Sequence, residues 1–321
     1  MTELNYQWPI GAVPTPASYL TGKVKVRDAF HQELEKRFST LLGYPSIVVP
    51  SGRAALSLAF QLAGVGRRHI IFAPKYSSHC VWNLVGRYGN PTINMTENVD
   101  IILAVHQFGQ NQISDRPLSL IPVIEDSCDT IVLNPEGLFP NNGNMELFSL
   151  PKIMGCYGGG LLTFKDHELF IRARKLISDS NGLSDTQGYM RWSIASGLYD
   201  NYDNWDANEY RNLVPDYMLV RHLLENFNAL ALNIKTIKSR LQRLTKLGWR
   251  VSPDSDIDFT SSRLPPVLTT NIFHSNAKVM QRYVNRSAYF NKPDYVKMAI
   301  IPLHFGVKES RFEELLNELN V

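Results

Sequence analysis

The sequence predicts an α/β protein, with a seven-stranded, mostly parallel sheet covered by helices and a smaller α+β region after it. Seven short apolar runs bounded by turn residues occupy the first half of the chain. Helical patterns fall between several of them, the alternation expected of a parallel sheet buried on both faces. The chain has 321 residues, 44% of them hydrophobic, which is enough for one large core and one smaller. The expected division is an N-terminal arm and helix over 1–43, a large α/β domain over 44–205 and a small α+β domain over 206–321.

Residues 26–42 read as an amphipathic helix, because Phe30, Leu34, Phe38 and Leu41/Leu42 recur at helical spacing and Gly43 stops the run. The seven strand candidates are 46–50, 69–74, 91–95, 100–107, 121–127, 145–150 and 160–164, and the last two are expected to pair antiparallel. Helices are expected over 53–63, 78–88 and 166–179. Residues 181–206, rich in Gly, Ser, Asp, Asn, Tyr and Trp, show no clean periodicity and read as a long irregular segment. A strong helical pattern resumes over 217–247, and 252–266 reads as loop. Residues 267–273 and 298–303 are candidate strands of a second small sheet, and 309–319 is the final helix.

Bulk properties exclude several classes. Net charge is +3, and Lys and Arg are dispersed without a run longer than pairs such as Arg67-Arg68, so no nucleic-acid surface is marked. No apolar run approaches the length of a membrane span, and the first residues lack a leader pattern, so a cytoplasmic protein is expected. Cys80, Cys128 and Cys156 are odd in number and lack ligand spacing. They are expected to be reduced core thiols, with no disulfide framework and no zinc site.

The most informative segment is Phe148-Ser149-Leu150-Pro151-Lys152, which leads into Gly158-Gly159-Gly160. Its lysine lies on a turn between two apolar strands, where an ammonium is costly. In a partly desolvated pocket an amine loses its preference for the charged form and can attack a carbonyl, as pyridoxal phosphate (PLP) enzymes require. A structural turn lysine is the other reading of the segment. Ser51-Gly52-Arg53 lies where a strand ends and a helix begins, so free backbone N–H groups and the positive helix end would suit a phosphate; a plain helix capped by Ser51 is the alternative.

The run Ile121 to Asp129 ends an apolar strand with carboxylates at Glu125, Asp126 and Asp129. A carboxylate against the pyridine nitrogen of PLP keeps the ring protonated and turns it into an electron sink. Asp126 is the choice for that role, and Glu125 is explained as a solvated strand terminus. A metal site built from the three lacks a nearby histidine. Ser149 could bond the same phosphate as the Gly52 turn. His106, at the end of the preceding strand, would emerge beside the cofactor or be a satisfied core histidine. After the second strand, Tyr76 and His79 are both candidates to stack on the ring.

In this order the pieces resemble the DegT/DnrJ/StrS sugar aminotransferases, fold-type I PLP enzymes, over about residues 22–164 with a fainter echo near the C-terminus. The phosphate-binding SGTxAL segment of that family is similar to Ser51-Gly52-Arg53-Ala54-Ala55-Leu56, its VHxxG to Val105-His106-Gln107-Phe108-Gly109 and its EDxAQ to Glu125-Asp126-Ser127-Cys128-Asp129. Its lysine segment is similar to Phe148-Ser149-Leu150-Pro151-Lys152, and its PLHxG run to Pro302-Leu303-His304-Phe305-Gly306. The resemblance implies a fold-type I domain, Lys152 as the cofactor-bonding lysine, Asp126 on the pyridine nitrogen, and a homodimer with shared sites. Cofactor-binding residues would be Ser51, Gly52, Arg53, Tyr76, His79, Asp126, Asp129, Ser149 and Lys152, with His106 and Arg211 toward substrate.

Arg53 replaces the usual threonine, Asp129 the usual glutamine, and Gly158 an acidic residue. The loop that reaches the neighbouring subunit's phosphate lacks its usual form, leaving Asn204, Asn208 and Arg211 as stand-ins. The implied activity is amino transfer from glutamate to a keto-sugar, often nucleotide-linked, in amino-sugar or surface-polysaccharide biosynthesis. The alternatives are dehydratase-type PLP chemistry on an amino-sugar or amino acid, which lysine rather than histidine at 152 disfavours, and a catalytically silent binding relative.

Overall fold

The structure is a computed structural model of chain residues 1–321. It describes residues 27–74, 77–96, 98–106, 109, 111, 121–132, 134–156, 158–180, 213–246, 263–265, 267–270, 280–285, 294–305 and 307–319. The expected irregular segment over 181–206 lies outside the described residues.

All seven strand candidates enter one sheet. They are β1 (Ser46–Val49), β2 (Ile70–Phe72), β3 (Asn90–Thr92), β4 (Ile101–Val105), β5 (Val123–Asp126), β7 (Met145–Ser149) and β8 (Gly160–Phe164), with the short β6 (Ile131–Val132) outside it. The order across the sheet is β1-β8-β7-β5-β4-β2-β3. Only β8 runs against the rest, antiparallel to both β1 and β7, while β7, β5, β4, β2 and β3 pair parallel. The carboxyl ends of β1, β5 and β7 therefore lie on one edge. This is where α/β sheets bind ligands.

The strands read as continuous apolar runs because both faces are covered. Alternate residues supply different cores: Val48, Phe148 and Leu161 join one cluster, and Ile47, Val49, Leu147 and Leu162 the other. The first cluster packs against α1 (Arg27–Leu42) through Leu34 and Phe38. It also takes in α6 (Tyr217–Glu225), α7 (Ala229–Lys246) and α8 (Glu309–Leu319), through Leu219, Ile237 and Phe312. The second packs against α2 (Gly52–Leu62), α3 (His79–Tyr88) and α5 (His167–Ser178), through Phe60, Trp82 and Ala173. The short α4 (Leu150–Met154) follows β7 directly, with Pro151 in its first turn.

Several elements depart from expectation. The helix expected over 217–247 is two, α6 and α7. Asn226 caps α6 and its side-chain amide donates to the His222 carbonyl (2.9 Å), a local bond that competes with continuing the helix. The second sheet has three antiparallel strands, β10 (Val267–Thr270), β12 (Asp294–Pro302) and β11 (Met280–Asn285), and the last showed no alternation in sequence. The stretch read as loop over 252–266 holds β9 (Arg263–Leu264), which pairs with β6. Lys152 lies on a short helix rather than a bare turn.

Gly160 shows why glycines follow the lysine. A Cβ there would lie 2.2 Å from the Ser51 carbonyl oxygen and 2.7 Å from the Gly52 nitrogen, so the start of β8 and the start of α2 meet backbone to backbone. The Gly159 N–H donates to the Pro50 carbonyl (2.9 Å) and its carbonyl accepts from Leu150 N–H (3.1 Å), which ties the lysine segment to the helix start. Because the obstructing atoms are main chain, Gly160→Ala is expected to destabilise the protein by about 3 kcal/mol. Urea unfolding, with a lowered midpoint at unchanged slope, checks this.

Candidate active site

Three segments converge at the carboxyl edge of the sheet. The first is the start of α2, where Ser51 caps the helix and its hydroxyl accepts from Ala54 N–H (3.1 Å). The leading N–H groups of a helix have no partner within it, and the macrodipole is positive there. Gly52 leaves this end open at close quarters: a Cβ there would stand 3.0 Å from Cys128 Sγ and 3.7 Å from Ser149 Cβ. One glycine thus touches the other two segments.

The second segment is the end of β5 and the turn after it. Asp126 is buried, and its Oδ1 accepts from Cys128 N–H (2.9 Å). Burial pushes the Asp126 carboxyl up, opposed by hydrogen bonds from Cys128 and by the charge of Lys152, while the charge of Asp129 adds to it. Burial and the Asp126 charge push the Cys128 thiol up well beyond the usual range, so it stays a neutral thiol.

The third segment carries the lysine. Lys152 on α4 forms an ion pair and hydrogen bond with Asp129, its side chain 24% exposed and that of Asp129 12%. Burial works to lower the ammonium. The Asp129 carboxylate opposes it through its charge and its hydrogen bond, and the lysine ends above its ordinary range.

Beneath these groups lie two buried polar networks. Glu125 is fully buried rather than a solvated terminus: its Oε2 pairs with His106 Nε2 (2.7 Å), and its carboxylate accepts from Asn141 N–H (2.9 Å), the Asn141 amide (3.0 Å) and Gly143 N–H (3.1 Å). Burial raises Glu125, but these donors outweigh it and hold it below the ordinary carboxylate range. His106 is likewise fully buried, which corrects the expectation that it faces substrate; it is the satisfied core histidine.

The second network was not foreseen. Glu146, the second residue of β7, pairs with Arg263 of β9 and accepts from the Ser127 hydroxyl and from Phe139 N–H (2.6 Å). Arg263 also donates to the Gly137 carbonyl (2.7 Å) and to Ser127 Oγ (3.1 and 3.2 Å). A charged residue inside the apolar run Met145–Ser149 was the signal that something buried must meet it.

The structure therefore brings Ser51, Gly52, Asp126, Asp129, Ser149 and Lys152 to one edge, and Arg53 follows in the first turn of α2. Tyr76 and Arg211 lie outside the described residues, as do Asn204 and Asn208. His79 begins α3, and its side chain is likewise outside them. Of the three cysteines only Cys156 is a core thiol, pushed up to about 12 by burial; Cys80 and Cys128 are partly exposed, and none is in a disulfide.

A family profile described as "Putative PLP-dependent aminotransferase" matches residues 34–320. The chain belongs to this family of PLP-dependent aminotransferases. No curated protein matches the sequence. Among solved structures, the fold is similar to AtS13 from Actinomadura melliaura, with TM-score 0.67 at 16% identity, covering 97% of this chain and 96% of that one. It is also similar to a DegT DnrJ EryC1 StrS aminotransferase from Brucella abortus, with TM-score 0.62 at 16% identity and coverage of 90% and 89%. A third, DesI in the presence of its TDP-sugar product, gives TM-score 0.63 at 11% identity with coverage of 100% and 93%. The fold is that of fold-type I aminotransferases, as the motif order implied, and the sequence is divergent within it.

The aminotransferase uses PLP, and the site's own chemistry suits that group. A buried carboxylate whose burial disfavours its charge needs a cationic partner, which a protonated pyridine supplies. The start of α2 offers N–H donors to a phosphate, and Lys152 offers an amine on the same edge. Among the described residues no helix is long and apolar enough to cross a membrane.

Proposed function

We propose that this aminotransferase moves an amino group from glutamate onto a nucleotide-linked keto-sugar. The setting would be cytoplasmic amino-sugar or surface-polysaccharide biosynthesis, with the enzyme working as a homodimer whose sites are shared. The observation that carries the reading is the meeting of the Ser51-Gly52 helix start, Asp126 and Lys152 at one edge of the sheet. For the sugar, support comes from the motif order and from the fold shared with DesI, whose structure was analysed in the presence of its TDP-sugar product.

Bound PLP supplies an aldehyde that condenses with amines and a protonated ring that delocalises the electron pair left at the substrate carbon. Around it each residue has a distinct task. Ser51, Gly52, Arg53 and Ser149 hold the phosphate, and Asp126 holds the proton on the ring nitrogen. Tyr76 or His79 covers the ring face, and Arg211 meets the substrate. Lys152 Nζ, as a neutral amine, would take the proton from the donor's Cα, hold it as the ammonium and return it at the C4′ carbon of the cofactor.

Purified protein with added PLP is expected to show a visible absorbance band. Glutamate should bleach it with release of 2-oxoglutarate, and a nucleotide-linked keto-sugar should then restore it. Absence of bleaching overturns the donor, and a panel of such sugars that never restores the band overturns the acceptor.

A further inference from the structure

The ion pair between Lys152 and Asp129 concerns the lysine before any cofactor arrives. Attack on an aldehyde requires a neutral amine, so whatever stabilises the ammonium delays that attack. Asp129 ends the turn after β5 and Lys152 sits in α4, and both side chains are largely shielded from solvent, so their attraction is screened less than at an open surface. The motif that this turn resembles carries glutamine at the position of Asp129. A neutral amide can accept a hydrogen bond from an ammonium but cannot neutralise its charge.

We infer that Asp129 is the counter-ion that holds Lys152 as an ammonium in the cofactor-free protein, and so a positioning residue that sets the pH range in which the lysine captures cofactor. This rests on reading Lys152 as the cofactor-bonding amine. The surroundings work in the same direction. Asp126 at the end of β5, Cys128 in the turn after it and Cys80 from α3 face Lys152 as well, and the charges of Asp126 and Lys152 favour one another. Burial disfavours the ammonium, and the Asp129 carboxylate acts against it through the ion pair and hydrogen bond it makes with Lys152. Capture of PLP should consequently rise with pH over a range where an unpaired lysine in the same pocket would already have reached its plateau. Removing the carboxylate should move the whole profile to lower pH.

The experiment acylates the cofactor-free, full-length protein with trace acetic anhydride across pH and quantifies modification of the Lys152 peptide by mass spectrometry. In the wild type the midpoint for Lys152 should lie above that of exposed lysines. Asp129→Asn and Asp129→Gln should raise acylation at pH 8 at least tenfold, and Asp129→Glu should retain the slow profile. An Asp129→Asn profile that coincides with the wild type overturns the inference. So does a wild-type midpoint at or below that of exposed lysines, a measurement that needs no variant to fold. A separate arm adds PLP, reduces with borohydride and asks whether the adduct is on Lys152. Its absence there would sink the reading of Lys152 while leaving the acylation result to judge the ion pair.

Discussion

Lys152→Ala is expected to remove the visible band of bound PLP and to lower amino transfer by about a thousandfold or more. The loss is compound, because the same nitrogen bonds the cofactor and carries the proton at the reacting carbon. Structure should survive the change. Lys152 is 24% exposed at the side chain, and α4 is anchored by buried Leu150, Ile153 and Met154. Circular dichroism and the urea midpoint are therefore expected to stay near the wild type while turnover collapses. A variant that keeps both the band and most of its turnover would show that another amine does the chemistry.

Asp126→Asn should separate activity from stability in an unusual direction. The amide keeps the shape of the side chain and can still accept from Cys128 N–H, but it cannot hold a proton on a ring nitrogen. Turnover is expected to fall about a hundredfold or more, the scale of losing one fixed electrostatic contact to charge that develops in the reaction. Stability without cofactor should rise or stay level. Burial raises the Asp126 carboxyl, so the folded cofactor-free protein gains stability as pH falls through that range, and the neutral amide has this gain at every pH. Urea midpoints at pH 5 and pH 8, paired with kcat, check both halves. A large loss of cofactor-free stability in Asp126→Asn would mean that the carboxylate is held by a cation inside the chain.

The sheet was legible because its strands are covered on both faces and thus read as unbroken apolar runs. Each of the seven expected stretches contains an observed strand or overlaps one, and the antiparallel entry of β8 was anticipated. The small second sheet was harder. Met280–Asn285 carries Gln, Arg and Asn among its apolar residues and offers no period of two. Residues 217–247 kept one helical period across a break that Asn226 makes by bonding its own chain, a choice that periodicity cannot reveal.

The candidate site shows the same contrast. Ser51-Gly52, Asp126 and Lys152 each follow a strand end or precede a helix start, so local pattern was enough to single them out. Glu125 was misjudged because the sequence places it at a strand end, where exposure is the usual fate, and of the two readings open for His106 the structure takes the buried one. Only the folded chain brings Asn141 and the Gly143 N–H under Glu125 and makes a buried carboxylate tolerable.

What the sequence determined by itself was the order of strands and helices, the residue types at the strand ends and, through their order, the cofactor class. These depend on local periodicity and on chemistry carried within a few residues. What only the tertiary structure decided was pairing across long separations: Lys152 with Asp129, Glu146 with Arg263, His106 with Glu125, and the backbone of Gly160 against that of Ser51. The reason is physical. A buried charge or a missing Cβ states that a partner must exist, but its identity depends on which distant segment the sheet order sets beside it.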